Sequence, residues 1–85
     1  MKTLVGYNGW KNYETWLVNV WLNNEEPSYY MLEELKAAPI GVAEKAERLE
    51  EAVRDMYWFE PYGIVADIVN MALGSVDWLA IIEAE

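Results

Sequence analysis

The chain has 85 residues, 54% hydrophobic and 14% aromatic, with 15 acidic and 6 basic side chains and a formal charge of −9. That length sets one domain, residues 1–85, and the apolar content excludes a disordered chain. The absence of cysteine and histidine removes disulfides, thiolate chemistry, the usual zinc ligands and the usual general base, while the charge disfavours nucleic acid and anionic membranes as direct partners.

Residues 1–6 leave room for a short extended arm, and the N-terminus lacks the features of a signal peptide, so a cytoplasmic protein is expected. Asn8-Gly9 is a turn dipeptide. Asn12 then suits an N-cap, its side-chain oxygen accepting from a backbone N–H near Glu14 or Thr15. Tyr13, Trp16, Leu17, Val20 and Trp21 recur at helical spacing. Val18 and Leu22 widen that stripe, so the first helix is expected to be buried on more than one side, with Trp16, Leu17, Val20 and Trp21 as core anchors. On this reading Trp16→Ala loses roughly 3–5 kcal/mol. Asn23-Asn24 ends the helix.

A second helix follows Glu25-Glu26-Pro27, a favourable first turn, and stops before Pro39. Its inner face is Tyr29, Leu32 and Leu35, with Met31 alongside. A third, amphipathic helix is predicted over residues 42–58 from Val42, Ala46, Leu49, Val53, Met56 and Tyr57. Glu44 to Arg48 and Glu50 to Arg54 are i,i+4 pairs in the favourable order. Trp58-Phe59-Glu60-Pro61 closes it.

The fourth helix, from about Tyr62 to Leu73, carries Ile64, Val65, Ile68, Val69, Ala72 and Leu73, leaving Asp67 and Asn70 as its clear polar positions. That pattern predicts the most buried helix of the set, ended by a left-handed Gly74. Ser75 is then expected to cap a last helix from Val76 to about Glu83, with Trp78, Leu79, Ile81 and Ile82 on its apolar side. No segment alternates with period two, and no apolar run approaches the roughly 18 residues of a membrane span. The expected fold is therefore all-α: a compact bundle of four to five short helices, with a short extended arm at the N-terminus.

The run YNGWKNYETWLVNVWLNNEE resembles the opening of a small uncharacterised family encoded by prokaryotes and their viruses, with a Y-N-G-W-x-N-Y-E-T-W signature. The stretch ADIVNMALGSVDWLAIIE is similar to the end of the same family, where an A-D-[LI]-[LV] helix leads to a [ST]-x-[VI]-[DN]-W segment. The two blocks cover about half the chain. Leu17 departs from the pattern, standing where many members carry asparagine. The resemblance implies a small helical domain in a phage, prophage or mobile-element setting. It carries over no catalytic residue.

Four groups of side chains invite a functional reading. The tryptophans and tyrosines could stack on sugars or bases, but a single-stranded nucleic-acid platform needs a basic groove, and helical spacing assigns most of them to the core. Trp10 and Trp58 lie outside the clean stripes and are the candidates for exposure. Asn8, Asn12, Thr15 and Asn19 could line a small-ligand site but read more simply as turn, cap and surface residues. Asp67, within an apolar helix, would have a raised pKa if desolvated. Paired carboxylates could support acid–base chemistry, yet the acids fall on solvated faces and form no calcium loop, so no enzyme, metal or cofactor is expected.

The fourth group is an acidic ridge. Glu44, Glu47, Glu51 and Asp55 share one face of the third helix over about 16 Å, with Glu33, Glu34 and Glu50 nearby. Phosphates along a nucleic-acid strand have comparable spacing, so the ridge could occupy a basic nucleic-acid channel; its plainer reading is a solvated face. The expected function is that of a small acidic interaction protein of viral or mobile-element type. It would bind the basic surface of a host nucleic-acid-handling defence complex, of CRISPR or restriction type, as a monomer or homodimer. The alternative is an interaction or self-association module built on an exposed aromatic patch around Trp58.

Overall fold

A computed structural model of the chain describes residues 9–57 and 60–84. The N-terminal arm, Asn8, Trp58 and Phe59 lie outside the described residues. Among the described residues the regular elements are five α-helices: α1 (Tyr13–Asn24), α2 (Glu26–Ala37), α3 (Val42–Met56), α4 (Ile64–Gly74) and α5 (Trp78–Glu83). The all-α expectation holds.

Local chemistry explains the boundaries. Asn12 caps α1, its Oδ1 accepting from the Thr15 N–H at 2.9 Å and from the Thr15 hydroxyl at 2.6 Å. Glu25 is extended and separates α1 from α2. Ser28, fully buried, places its hydroxyl 3.1 Å from the Leu22 carbonyl and 3.0 Å from the Glu25 carbonyl, and so fixes that corner. The α2 helix stops at Ala38, which is extended ahead of Pro39 as expected. The Lys45 ammonium donates to the Lys36 carbonyl in the last turn of α2, and the Lys36 ammonium donates to the Ala84 carbonyl just past α5, 2.8 Å away. Two of the six bases thus satisfy carbonyls at helix C-termini.

Three expected boundaries move. The α3 helix ends at Met56, since Tyr57 at φ −115°, ψ 80° has left the helical region. Gly74 is the last residue of α4 and is not left-handed; Ser75 and Val76 bond back to the Ala72 and Leu73 carbonyls in a tightened turn that ends the helix without one. The positive-φ glycine of this region is Gly63, at φ 103° before α4. The cap of α5 is Asp77, accepting from the Ala80 N–H at 3.1 Å, and not Ser75. Val76 is drawn into the core instead of opening the helix.

The core is Leu22 of α1, Leu32 of α2, Leu49 and Val53 of α3, Val76, and Trp78, Ile81 and Ile82 of α5. The α3–α5 seam is the most extensive helix–helix contact, and α1 with α2 closes the other side. The first helix is less buried than its stripe suggests. Its buried residues are Thr15 and Leu22; Trp16, Leu17 and Val20 are half-buried, and Trp21 is 56% exposed. The largest departure is α4, which buries only Ala66 and packs closely along no other helix. None of the described helices is long and apolar enough to cross a membrane.

Candidate interaction surfaces

The α4 sequence, IVADIVNMALG, leaves a polar arc only at Asp67 and Asn70. At 100° per residue, Ala66, Val69 and Leu73 project to one side and Ile64, Val65, Ile68 and Met71 to the other. The first set faces the fold, with Ala66 buried and Val69 and Leu73 half-buried. The second set faces water: Ile64 is 75% exposed, Ile68 53% and Met71 68%. A surface helix ordinarily turns polar residues outward. Here both sides are apolar and only one is covered.

A hydrogen-bonded staple holds the C-terminal end of α4. The Asn12 side-chain amide donates to the Ser75 carbonyl at 2.8 Å, and the Asp77 N–H donates to the buried Thr15 hydroxyl oxygen at 2.9 Å. The Asn12–Thr15 cap therefore starts α1 and also fixes the α4–α5 connection, which makes its role structural. Farther along, Arg54 donates to the Asn70 side-chain oxygen at 2.8 Å while pairing with Glu50.

Between α1 and α4 runs an apolar groove. Its larger part, of about 340 Å³, is lined by Leu17, Val18, Trp21 and Leu22 of α1 together with Val53, Tyr57, Val69 and Leu73. It continues toward Glu14 as a second hollow of about 210 Å³, edged by Ile68, Ala72 and Val76. The Tyr57 phenol and the Trp21 indole N–H are the polar side-chain groups among the residues lining the larger part. The phenol donates to the Glu25 carboxylate, and burial, reinforced by that carboxylate, pushes its pKa above the usual tyrosine value. Small-molecule pockets carry several convergent polar groups; a groove lined almost wholly by aliphatic side chains suits an apolar side chain of a partner.

The acidic residues form a separate surface. Glu33, Glu34, Glu44, Glu47, Glu51 and Asp55 are all exposed. Glu34, Glu51 and Asp55 meet across a shallow groove between α2 and α3, beside Arg48. Glu33, Glu44 and Glu47 lie outside the lining of that groove, and Glu44 is bound by Arg48 at 2.8 Å. Among the described residues, Glu33, Glu34, Glu47, Glu51 and Asp55 have no ion-pair partner, and no acidic cluster there is arranged to hold a metal.

Asp67 does not lie in an apolar setting: it is exposed on the polar arc of α4. Trp10 is half-buried against the core. The residues that sequence reading passed over are Ile64, Ile68, Met71 and Trp21. Their signal is that α4 is apolar nearly all round, a pattern that by itself predicts burial within the domain.

A family of unknown function, DUF7249, matches the chain over residues 3–77. The chain belongs to the DUF7249 family. Its match spans α1 to α4 and reaches Asp77, the cap of α5, so both the α4 strip and the acidic α3 face fall within the DUF7249 region. No curated protein and no solved structure matches the chain.

Proposed function

We propose that this protein acts by binding another protein, without a catalytic step, and that the docking surface is the outer face of α4 with the apolar groove beside it. One observation carries the reading: Ile64, Val65, Ile68 and Met71 form an uncharged apolar strip in water on a chain of net charge −9. Exposed contiguous apolar patches of several hundred Å² on soluble proteins mark interaction sites. Trp21 and Tyr57 stand at the edge of this aliphatic strip; Trp58, the centre of the expected aromatic patch, lies outside the described residues. The test compares tagged wild-type and Ile68→Glu chains in affinity purification from cells. Proteins that co-purify with wild type and are lost with Ile68→Glu support the reading, whereas an unchanged set overturns it.

A second reading rests on the acidic surface. Glu34, Glu51 and Asp55 converge between α2 and α3, and Glu47 stands exposed one turn before Glu51. This surface suits a basic partner such as the nucleic-acid channel of a host defence complex, which fits a phage or mobile-element protein working in the host cytoplasm. The resemblance of the Y-N-G-W-x-N-Y-E-T-W stretch supports that setting. Charge reversal at Glu47, Glu51 and Asp55 would then abolish binding and leave the fold intact, and added salt at about 200 mM would weaken the complex. Binding unaffected by both would exclude this second reading.

A further inference from the structure

We propose that α4 is a hinged flap, pivoting as one helix about the staple at its C-terminal end and so opening and closing the apolar groove against α1. The motion regulates access to the groove that the docking reading uses, but it is a property of the chain alone and does not depend on that reading.

Among the described residues, α4 is the least firmly packed helix. Each of the other four lies closely along at least one neighbour, and α4 along none. The side chain it buries is a single methyl, that of Ala66. Elements with few buried apolar contacts are the ones that move while the rest of a domain stays folded. The firmest ties on α4 are gathered at one end. Beyond its last turn, the Ser75 carbonyl accepts from the Asn12 amide at 2.8 Å, and the Asp77 N–H donates to the fully buried Thr15 hydroxyl oxygen at 2.9 Å. Midway, the bond from Arg54 to Asn70 is exposed, so water replaces it at little net cost. At the far end Gly63 stands at φ 103° in open space, the kind of element-terminal residue that absorbs a change of backbone angle.

The groove has the shape that such a pivot produces. Its hollow beside the staple, edged by Glu14 and Val76, holds about 210 Å³. Farther from the staple, where Trp21 and Tyr57 stand, it holds about 340 Å³. Ile64 and Val65, in the first turn of α4, line neither hollow and are exposed. The helix runs about 16 Å, so a rotation of about 15° about the staple carries its first turn through about 4 Å, enough to bring two apolar walls into contact. Closing presses Val69 and Leu73 onto Leu17 and Val18 and takes all four from water; opening returns them to it.

The test is the spread of two distances in the full chain, read by pulsed electron spin resonance. The sequence has no cysteine, so spin labels attach only where cysteine is introduced. One pair, Asn24→Cys with Val65→Cys, joins the end of α1 to the first turn of α4; the other, Lys11→Cys with Met71→Cys, lies toward the staple, and all four positions are exposed. Circular dichroism of each labelled chain checks that the fold is kept, and Ile64→Cys replaces Val65→Cys if helicity falls. The expected result is a narrow distribution for the staple pair and one broader by about 4 Å for the free-end pair. Thr15→Val, which removes one bond of the staple, should broaden the staple pair as well. Equal spread in the two pairs, or a staple pair unmoved by Thr15→Val, overturns the proposal and leaves the docking reading to its own test with Ile68→Glu.

Discussion

The last two helices have similar composition and opposite environments. The short α5, WLAIIE, buries Trp78, Ile81 and Ile82. The longer α4, IVADIVNMALG, buries Ala66 alone. The difference lies in their neighbours. The apolar stripe of α3 is one face wide, and α5 occupies it through the Leu49–Val53 side. What remains for α4 is the partly filled groove against Leu17 and Val18. How deeply a helix is buried depends on the area offered to it as much as on its own hydrophobicity.

Five measurements can break or sharpen that contrast. Truncating the α5 side should have the largest effect: Trp78→Ala is expected to cost about 3–5 kcal/mol in urea unfolding, since the cavity it leaves opens in the shared core. A cost like that of an exposed site would mean that the α3–α5 seam is not the centre of the fold. Thr15→Val comes next. It keeps the shape but leaves the part-buried Asp77 N–H and part of the Asn12 cap without a partner, at about 1–3 kcal/mol. Because this staple holds the α4–α5 connection, faster amide exchange at residues 75–77 should accompany the loss.

Gly63→Ala asks an L-residue to adopt φ 103° and should cost about 1–3 kcal/mol. If the start of α4 can swing freely, the cost will be smaller, and the contrast with α5 sharper still. Ile68→Ser should change the stability of the monomer by no more than about 0.5 kcal/mol, with α4 amides exchanging ahead of those in α3 and α5. A loss of several kcal/mol would show that α4 is held as firmly as α5.

The smallest effect concerns pH. Tyr57 has a raised pKa from burial and the Glu25 carboxylate. Its contribution to stability is therefore complete below the unfolded tyrosine value of about 10 and declines as pH rises through the folded value. Tyr57→Phe should flatten this alkaline decline relative to wild type. Identical slopes for the two chains would remove Tyr57 from the edge of the groove.

Much of the fold could be read from local pattern. Asn12 as a cap, Pro39 as a stop and the amphipathic run from Val42 each act within one or two helical turns, and their spacing is enough to place them. Gly74 and Ser75 misled because both can end or start a helix, and the choice fell to long-range contacts: the Thr15 hydroxyl takes the Asp77 N–H from 62 residues away, and Val76 enters the core. Trp21 misled for a similar reason. Helical spacing places it on the apolar stripe, but the stripe is wider than the neighbours that cover it, and it lies at the uncovered edge.

By itself, the sequence determined the helices, their order and the acidic outer face of α3, because periodicity, caps and charge are properties of adjacent residues. It also determined that α4 is apolar on nearly every side. Only the tertiary structure decided that the domain covers α4 on one side, since that depends on which helix occupies the α3 stripe and on how much apolar area is left. The exposed half of α4 follows from this competition for area, and pairwise spacing along the chain carries no record of it.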